Sequence, residues 1–283
     1  MSERPAIELP EGVLRVTADN SGPMTFRGTN TYVVGYGDTC CVIDPGPEDA
    51  FHLEAIVEAV GARQVEAVML THRHRDHSGL VRKAKERFGA PLFAAPSPAV
   101  AYQASVDFAA LESDRSLIDG GSLQIAGHRI EVVATPGHTS DHLAFALPEH
   151  GVLFTGDHVM GWSTTVVIPP DGSMRRYRES LKKLVPRDER LYLPGHGDPI
   201  ERPERLVRNF LHHRRQREEM ILLSLQEAPV TITGLVERHY PAVEGALAVA
   251  AGYSVKAHLV ELFERGTLAG PDPLVSDGPF ELA

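Results

Sequence analysis

Four imidazole and carboxylate groups fall within the six-residue run His72-Arg73-His74-Arg75-Asp76-His77. His72 and His74 share a face at period two, and Asp76 and His77 open the turn that follows, where they can aim at a neighbouring point. Three borderline nitrogens and one carboxylate oxygen form a ligand set for zinc, with manganese or iron as alternatives. Further donors stand at His138 in TPGHTSDH, Asp157 in FTGDH and His196 in PGHGD, each preceded by a strand-like apolar run and a Gly or Pro-Gly turn. A lone loop histidine is more often solvated than liganding, so each of these three is weak alone. Their conjunction with the first run carries the metal reading. Histidine, at 14 residues, is the anomaly of the composition, because it clusters at the ends of apolar runs.

These residues need elements to position them. Residues 31–35 (TYVVG) and 40–44 (CCVID) read as a strand pair, followed by Pro45-Gly46 and a helix over 48–60. The short apolar run 65–70 suits a buried strand, and 79–88 has helical spacing with Gly89 as its stop, so the His-rich run sits on the turn after a strand. A strand is expected over 91–95 and a serine-capped helix over 97–104. Short β-rich runs at 123–125, 128–134, 143–147 and 152–155 suggest a second sheet with hairpin connections. A helix over 177–184 and a strand over 191–193 follow. Two halves that each mix strands with flanking helices fit an α/β fold of two sheets face to face with helices outside. Beyond it, 203–225 predicts a long helix with Pro at its first turn, and 232–239, 243–251 and 254–265 predict three short helices before a β wing, the outline of a winged helix.

Composition narrows the function classes. The chain has 283 residues, 42% apolar and 23% charged, which suits a globular protein with a sizeable core and excludes disorder, collagen and coiled coil. The net charge of -10 repels phosphate backbones and anionic membranes, so nucleic acid would need a local basic patch or a metal. Residues 212–270 hold six Lys/Arg against seven Asp/Glu and lack a basic footprint. The adjacent Cys40 and Cys41 read as core residues pointing to opposite faces of a strand, with no disulfide framework, which predicts a reducing compartment. The N-terminal segment has no apolar signal-like region, and no stretch approaches about 18 uninterrupted apolar residues. A cytoplasmic protein without a membrane role is expected.

The ordered set of HxHxDH, a later His, an Asp and a final His resembles the metallo-β-lactamase superfamily over residues 28–199. The resemblance implies an αββα sandwich with a dinuclear metal site at one sheet edge. Carried onto this chain, His72, His74 and His138 hold the first metal, Asp76, His77 and His196 the second, and Asp157 bridges. The bridging aspartate resembles the glyoxalase II and RNA-processing branches, whereas a typical B1 β-lactamase presents a cysteine, so antibiotic hydrolysis is disfavoured. Two divalent ions, zinc first and manganese or iron as alternatives, would lower the pKa of a shared water toward about 7 and deliver hydroxide. Asp76 would orient that hydroxide as the catalytic carboxylate.

Asp44 either steadies a ligand imidazole or caps the chain before Pro45-Gly46. Thr29 and Asn30, His158 and Trp162 are candidate substrate contacts, with strand capping, an ordinary loop histidine and core packing as the plainer roles. Met24, Phe26 and Met160 flank the same place, and His142 lines the cleft or pairs with a carboxylate. Arg214, Arg215 and Arg217 interleave with Glu218 and Glu219 and read as surface ion pairs.

GPMTFRGTNTYVVG, HHRRQREEMIL and GYSVKAHLVELFERGTL together look like the beta-lactamase-like protein 2 branch, which carries a C-terminal winged helix. This implies a catalytic domain over 1–205 and a linker helix with a winged-helix-like domain over 206–283. The expected function is a metal-dependent hydrolase acting on a small ester or thioester, hydroxyacylglutathione hydrolase-like, with a small-molecule substrate. The alternative is a single-strand-specific endoribonuclease, favoured by the branch and disfavoured by charge. A non-catalytic, metal-stabilised binding protein is the third, and the intact ligand set argues against it. A homodimer is left open.

Overall fold

The computed structural model describes residues 9–96 and 112–283. The helix expected over 97–104 lies outside the described residues. β1 (Val13–Thr17), β2 (Asn30–Val34), β3 (Thr39–Ile43), β4 (Gln64–Met69), β5 (Leu92–Ala94) and β6 (Arg115–Ser116) form a six-stranded sheet in that order. β1 to β3 are antiparallel; β3 to β6 are parallel. The parallel steps need crossovers, supplied by α1 (Ala50–Val60) between β3 and β4, and by α2 (Arg75–Ser78) and α3 (Val81–Phe88) between β4 and β5. β7 (Ser122–Ile125), β8 (His128–Ala134), β9 (Leu143–Leu147) and β10 (Val152–Gly156) form an antiparallel meander. α4 (Met174–Leu184) then returns the chain so that β11 (Leu191–Pro194) pairs parallel to β10.

The strand period of two sorts the side chains into layers. Cys41 and Met69 of the first sheet meet Phe145 and Phe154 of the second in the core between the sheets. Cys40, Val42 and Val68 point the other way, onto Ile56 of α1 and Val81 of α3. Ala144 and Leu153 likewise face Tyr177 and Leu181 of α4. The result is the expected αββα sandwich. Both cysteines are free and buried on opposite faces. β1 has no counterpart among the sequence-based expectations. Its VLRVT buries only Val13, and an edge strand facing solvent leaves little apolar signal.

α5 (Pro203–Glu227) begins on the sandwich through Val207 and Phe210 and ends in a separate core through Ile221 and Leu225. α6 (Ile232–His239), α7 (Gly245–Glu264) and the two-stranded ribbon of β12 (Leu268–Ala269) and β13 (Glu281–Leu282) complete that second core. The two helices expected over 243–251 and 254–265 are one, α7. An interior glycine costs about 1 kcal/mol relative to alanine. Gly252 therefore does not break a helix that Ala251, Val255, Leu259 and Leu262 pin by burial. By length and composition alone, α7 could cross a bilayer; here Val255, Leu259 and Leu262 lie in the C-terminal core.

Candidate metal centre

The carboxyl ends of β3, β4, β8, β10 and β11 open at one edge of the sandwich and deliver Asp44, the His72–His77 run, His138, Asp157 and His196 to one place. His74 Nδ1 lies 3.1 Å from His72 Nε2 and 2.9 Å from His138 Nε2. A second group forms where His196 Nε2 stands 3.3 Å from His77 Nε2 and 3.2 Å from Asp76 Oδ2. Asp157 sits between the groups. Its Oδ1 is 3.3 Å from His196 Nε2 and 3.4 Å from His77 Nε2, and its Oδ2 is 3.7 Å from His138 Nε2. All seven expected donors are brought together.

Partners behind the imidazoles decide which nitrogen is presented. His77 Nδ1–H donates to Asp44 Oδ2 at 3.0 Å, His138 Nδ1–H to the Val166 carbonyl at 2.7 Å and His196 Nδ1–H to the Gly28 carbonyl at 3.2 Å. The Thr71 hydroxyl donates to Asp44 Oδ2 and so receives His72 Nδ1–H, 3.0 Å away. Each of these four rings therefore turns its Nε2 to the centre, the atom that metal ligation needs. Asp44 is thus the support of an imidazole, and its buried carboxylate does not act as an exposed cap. It holds this place at φ 50°, a left-handed conformation to which aspartate is better suited than most residues. At Gly195 a Cβ would stand 2.6 Å from Asp157 Oδ1 and 2.7 Å from His77 Cε1, so only glycine lets β11 pass this close.

The electrostatics fit divalent cations. Burial would raise the Asp76 carboxyl, but the His77 charge and the bond from His196 hold it down at about 2. Burial would likewise raise Asp157, and His196 and His77 pull it well below the carboxylate range. His196 is lowered by burial but raised more by Asp157 and Asp76, to about 9. His77 also goes up, against its burial, because three carboxylates surround it. His138 falls to about 4, through burial and then His74. Carboxylates that stay ionised, His72 and His138 nitrogens that burial keeps neutral within 3.1 Å of His74, and an Asp157 carboxylate between the two groups are what a cation-binding donor set presents. The other His-acid groups among the described residues lack this character. Glu218 and Glu261, beside His258, are paired with Arg178 and Arg265, and the His128, Glu149 and His150 group stands at the far end of β8.

The expected substrate contacts separate. Trp162 lines a cavity of about 600 Å³ whose floor is His74, Asp76, His138, Asp157 and His196, and it stacks on Phe26 at 5.1 Å. Met24 and Met160 line the same cavity. Asn30 does not reach it: 1% exposed, it donates from Nδ2 to the Pro194 and Gly197 carbonyls and accepts from Thr17, tying β2 to the turn that carries His196. Thr29 is buried against Asn20. His158 is fully buried against Tyr177 and drops to about 3 because of burial and then His138, so it is a packed neutral ring. His142 Nε2 accepts the Asp157 backbone N–H at 3.1 Å, and its ring stacks beside His72.

Arg214 overturns its reading as a surface ion pair. It is 2% exposed, donates to the Thr165 carbonyl and to Ser254 Oγ, and lies over the Tyr177 ring. Its helical spacing near Glu218 suggested a pair, but the arginine faces inward, where α5 meets the sandwich. Arg73, inside the His-rich run, was also unforeseen: it points away from the donors and forms a buried pair with Asp141 at 2.7 Å. Period two is the available signal, because it places Arg73 opposite His72 and His74.

The metallo-beta-lactamase superfamily description matches residues 24–196. The chain is 32% identical to the beta-lactamase-like protein 2 homolog of Drosophila melanogaster, covering 93% of this chain and 92% of that protein. It is 34% identical to the atrochrysone carboxyl ACP thioesterase of Aspergillus fumigatus over 76% of this chain and 65% of that protein. Among solved structures, a metallo-beta-lactamase family protein from Thermus thermophilus superposes with a TM-score of 0.79 at 23% identity, covering 98% of this chain and all of the other, a likeness of fold. With a matched profile over most of the sandwich and a relative alike along almost the whole length, the chain belongs to the metallo-β-lactamase superfamily of metal-dependent hydrolases.

Proposed function

We propose that the protein is a dinuclear metal-dependent hydrolase of small esters or thioesters, hydroxyacylglutathione hydrolase-like in its metal site, with thioesters preferred. The carrying observation is the cavity beside the donor cluster. Its walls are mainly apolar, and among its described lining residues Arg75 is the only solvent-exposed arginine or lysine. An acyl substrate finds apolar walls with a few placed polar groups there, whereas a polyphosphate backbone finds few cations. The fungal relative bears the name of a thioesterase, which supports the same reading.

Two divalent cations, zinc in the first place, held by His72, His74 and His138 and by Asp76, His77 and His196 with Asp157 between, would supply hydroxide at neutral pH and polarise the carbonyl oxygen. The chain's own residues do the rest. Asp76 stays ionised at neutral pH and faces the cavity, so it can accept a hydrogen bond from the attacking water and orient it. Asp44 and Thr71 keep the His77 and His72 rings aimed. Trp162 and Met160 exclude water from one side of the acyl group. Cys40 and Cys41 are buried in the sandwich, so neither serves as nucleophile. We also propose that residues 206–283 form a winged-helix-like unit that frames the cavity, and that the protein works in the reducing cytoplasm.

Cleavage of single-stranded RNA is the second reading, the one that the resemblance to the beta-lactamase-like protein 2 branch implies. Zinc-loaded and manganese-loaded protein assayed side by side on an acyl-thioester panel and on single-stranded RNA separates the two, with Asp76→Ala as contamination control. Thioester turnover that disappears in the control is expected. RNA cleavage that disappears instead overturns the acyl reading.

A further inference from the structure

The cavity over the donor cluster is not made by the sandwich alone. Leu247, Ala250, Ala251 and Ser254 recur on α7 at i, i+3, i+4 and i+7, so a single stripe of that helix faces the cavity. Tyr240 and Val243, from the end of α6 and the connection that follows, extend the same wall. None of these six is charged. Leu247 is 52% exposed, which would need no explanation alone, but it continues an apolar surface that runs from the rim toward His138 and Asp157. Two alanines beside it keep the helix from filling the space, and Arg214 braces the stripe by donating to Ser254 Oγ at 3.0 Å.

We propose that α7 and the end of α6 form the acyl-binding wall of the site, and that the substrate is a thioester of an unbranched aliphatic acid of medium length. The acyl chain lies between the Met160–Trp162 side and the α7 stripe. Its carbonyl stands at the donor cluster, and the polar thiol portion lies toward the rim, where Arg75 is exposed. Hydrolysis adds water across the carbon–sulfur bond, giving the carboxylic acid and the free thiol. Ala250 sets the usable chain length, because a larger side chain there projects into the space that the distal methylenes occupy. This inference rests on the thioester reading above, and adds which part of the chain selects the acyl group.

The test measures kcat/KM of the metal-loaded full-length protein on acetyl, butyryl, octanoyl and dodecanoyl N-acetylcysteamine thioesters, together with Kd for a non-hydrolysable octanoyl thioether. The expected wild-type profile rises at least tenfold from acetyl to octanoyl. Ala250→Leu is expected to lower the ratio of octanoyl to acetyl kcat/KM about tenfold or more, the discrimination that a few methylenes give in an apolar pocket. Leu247→Ala, at an exposed position that does not threaten folding, should weaken thioether binding and lower the ratio of octanoyl to acetyl kcat/KM. Thioester turnover that ignores chain length, or variants that lower every substrate equally, overturns the acyl wall and leaves the thioester reading standing. Thioether binding that Ala250→Leu weakens in a protein without thioester turnover supports the wall and overturns the thioester reading. Absence of both turnover and thioether binding overturns both.

Discussion

At the scale of single residues, the centre depends on groups that are not themselves donors. Asp44 accepts from the Thr71 N–H at 2.8 Å, the Thr71 hydroxyl at 2.7 Å and His77 Nδ1–H at 3.0 Å, so one carboxylate orients two imidazoles. Asp44→Asn keeps the shape but removes the charge and one acceptor. The expected outcome is a loss of metal affinity of about 10- to 100-fold, read by competition with a chelator; unchanged affinity would remove this role. Asp157→Ala, which takes away the carboxylate between the two groups, is expected to lower bound metal well below the wild-type stoichiometry and to abolish turnover. Full occupancy at normal rates in that variant argues against a shared ligand. His72, His74, Asp76 and His77 were legible because metal ligation needs particular atoms at short spacing after a strand, whereas His138, Asp157 and His196 stood out only in conjunction with that run and with the ordered pattern of the resembling family. Thr71 and Thr165 were not, because a hydroxyl behind an imidazole can come from anywhere in the chain, and its sequence neighbourhood looks like any strand end.

At the scale of elements, α5 is the joint between sandwich and appendage. Arg214 reaches from it to the Thr165 carbonyl and to Ser254 on α7, and the Thr165 hydroxyl in turn lies 2.9 Å from His138 Nδ1. Arg214→Met keeps the stem and removes the guanidinium. It is expected to reduce kcat/KM about tenfold with metal stoichiometry unchanged, measured by parallel kinetics and metal analysis. Loss of the metal itself would place Arg214 in holding the centre together.

The appendage also carries a pH sensitivity. His258 is held well below its ordinary value of 6.5 by burial and then by Arg214 and Arg178, and His213 falls to about 4 through burial and then Arg214. Both are neutral when folded, while the unfolded chain takes up protons below about 6.5. Their contribution is therefore complete above pH 6.5 and is lost as pH falls from there toward about 4. One fully buried histidine gives a slope of up to about 1.4 kcal/mol per pH unit in this window. Urea midpoints at neutral and mildly acidic pH should converge in His258→Leu relative to wild type. Equal acid sensitivity in both assigns the effect to other groups.

At the scale of the whole molecule, a net charge of -10 surrounds a cavity whose exposed arginine or lysine, among the described residues, is Arg75. Long-range attraction of anionic polymers is weak under those conditions, and recognition falls to apolar contact. Thioester kcat/KM is expected to change less than about twofold between about 50 and 200 mM salt, whereas a protein with many phosphate contacts loses affinity by orders of magnitude over that range. A steep salt dependence would reveal an electropositive path to the centre. The molecule also shares its active edge between two cores: the sandwich supplies the donors, and the appendage supplies the facing wall.

The sequence by itself offered the seven candidate donors, a two-sheet architecture and the lack of a basic appendage. These follow from residue type, from short-range spacing and from the alternation that sends Cys40 and Cys41 to opposite layers. Only the tertiary structure decided which polar residues meet the cavity and which are structural. Asn30 turned out to be a buried tie and His158 a ring packed on Tyr177, and Arg214 became an internal brace. Only the tertiary structure, too, joined Tyr240, Leu247 and Ser254 to His138 and Asp157, far upstream in the chain but near enough in space to line one cavity. The reason is physical. Local pattern reports how a segment folds on its own neighbours, whereas the facing of one core against another depends on side chains meeting from distant segments, which leave no period in the sequence.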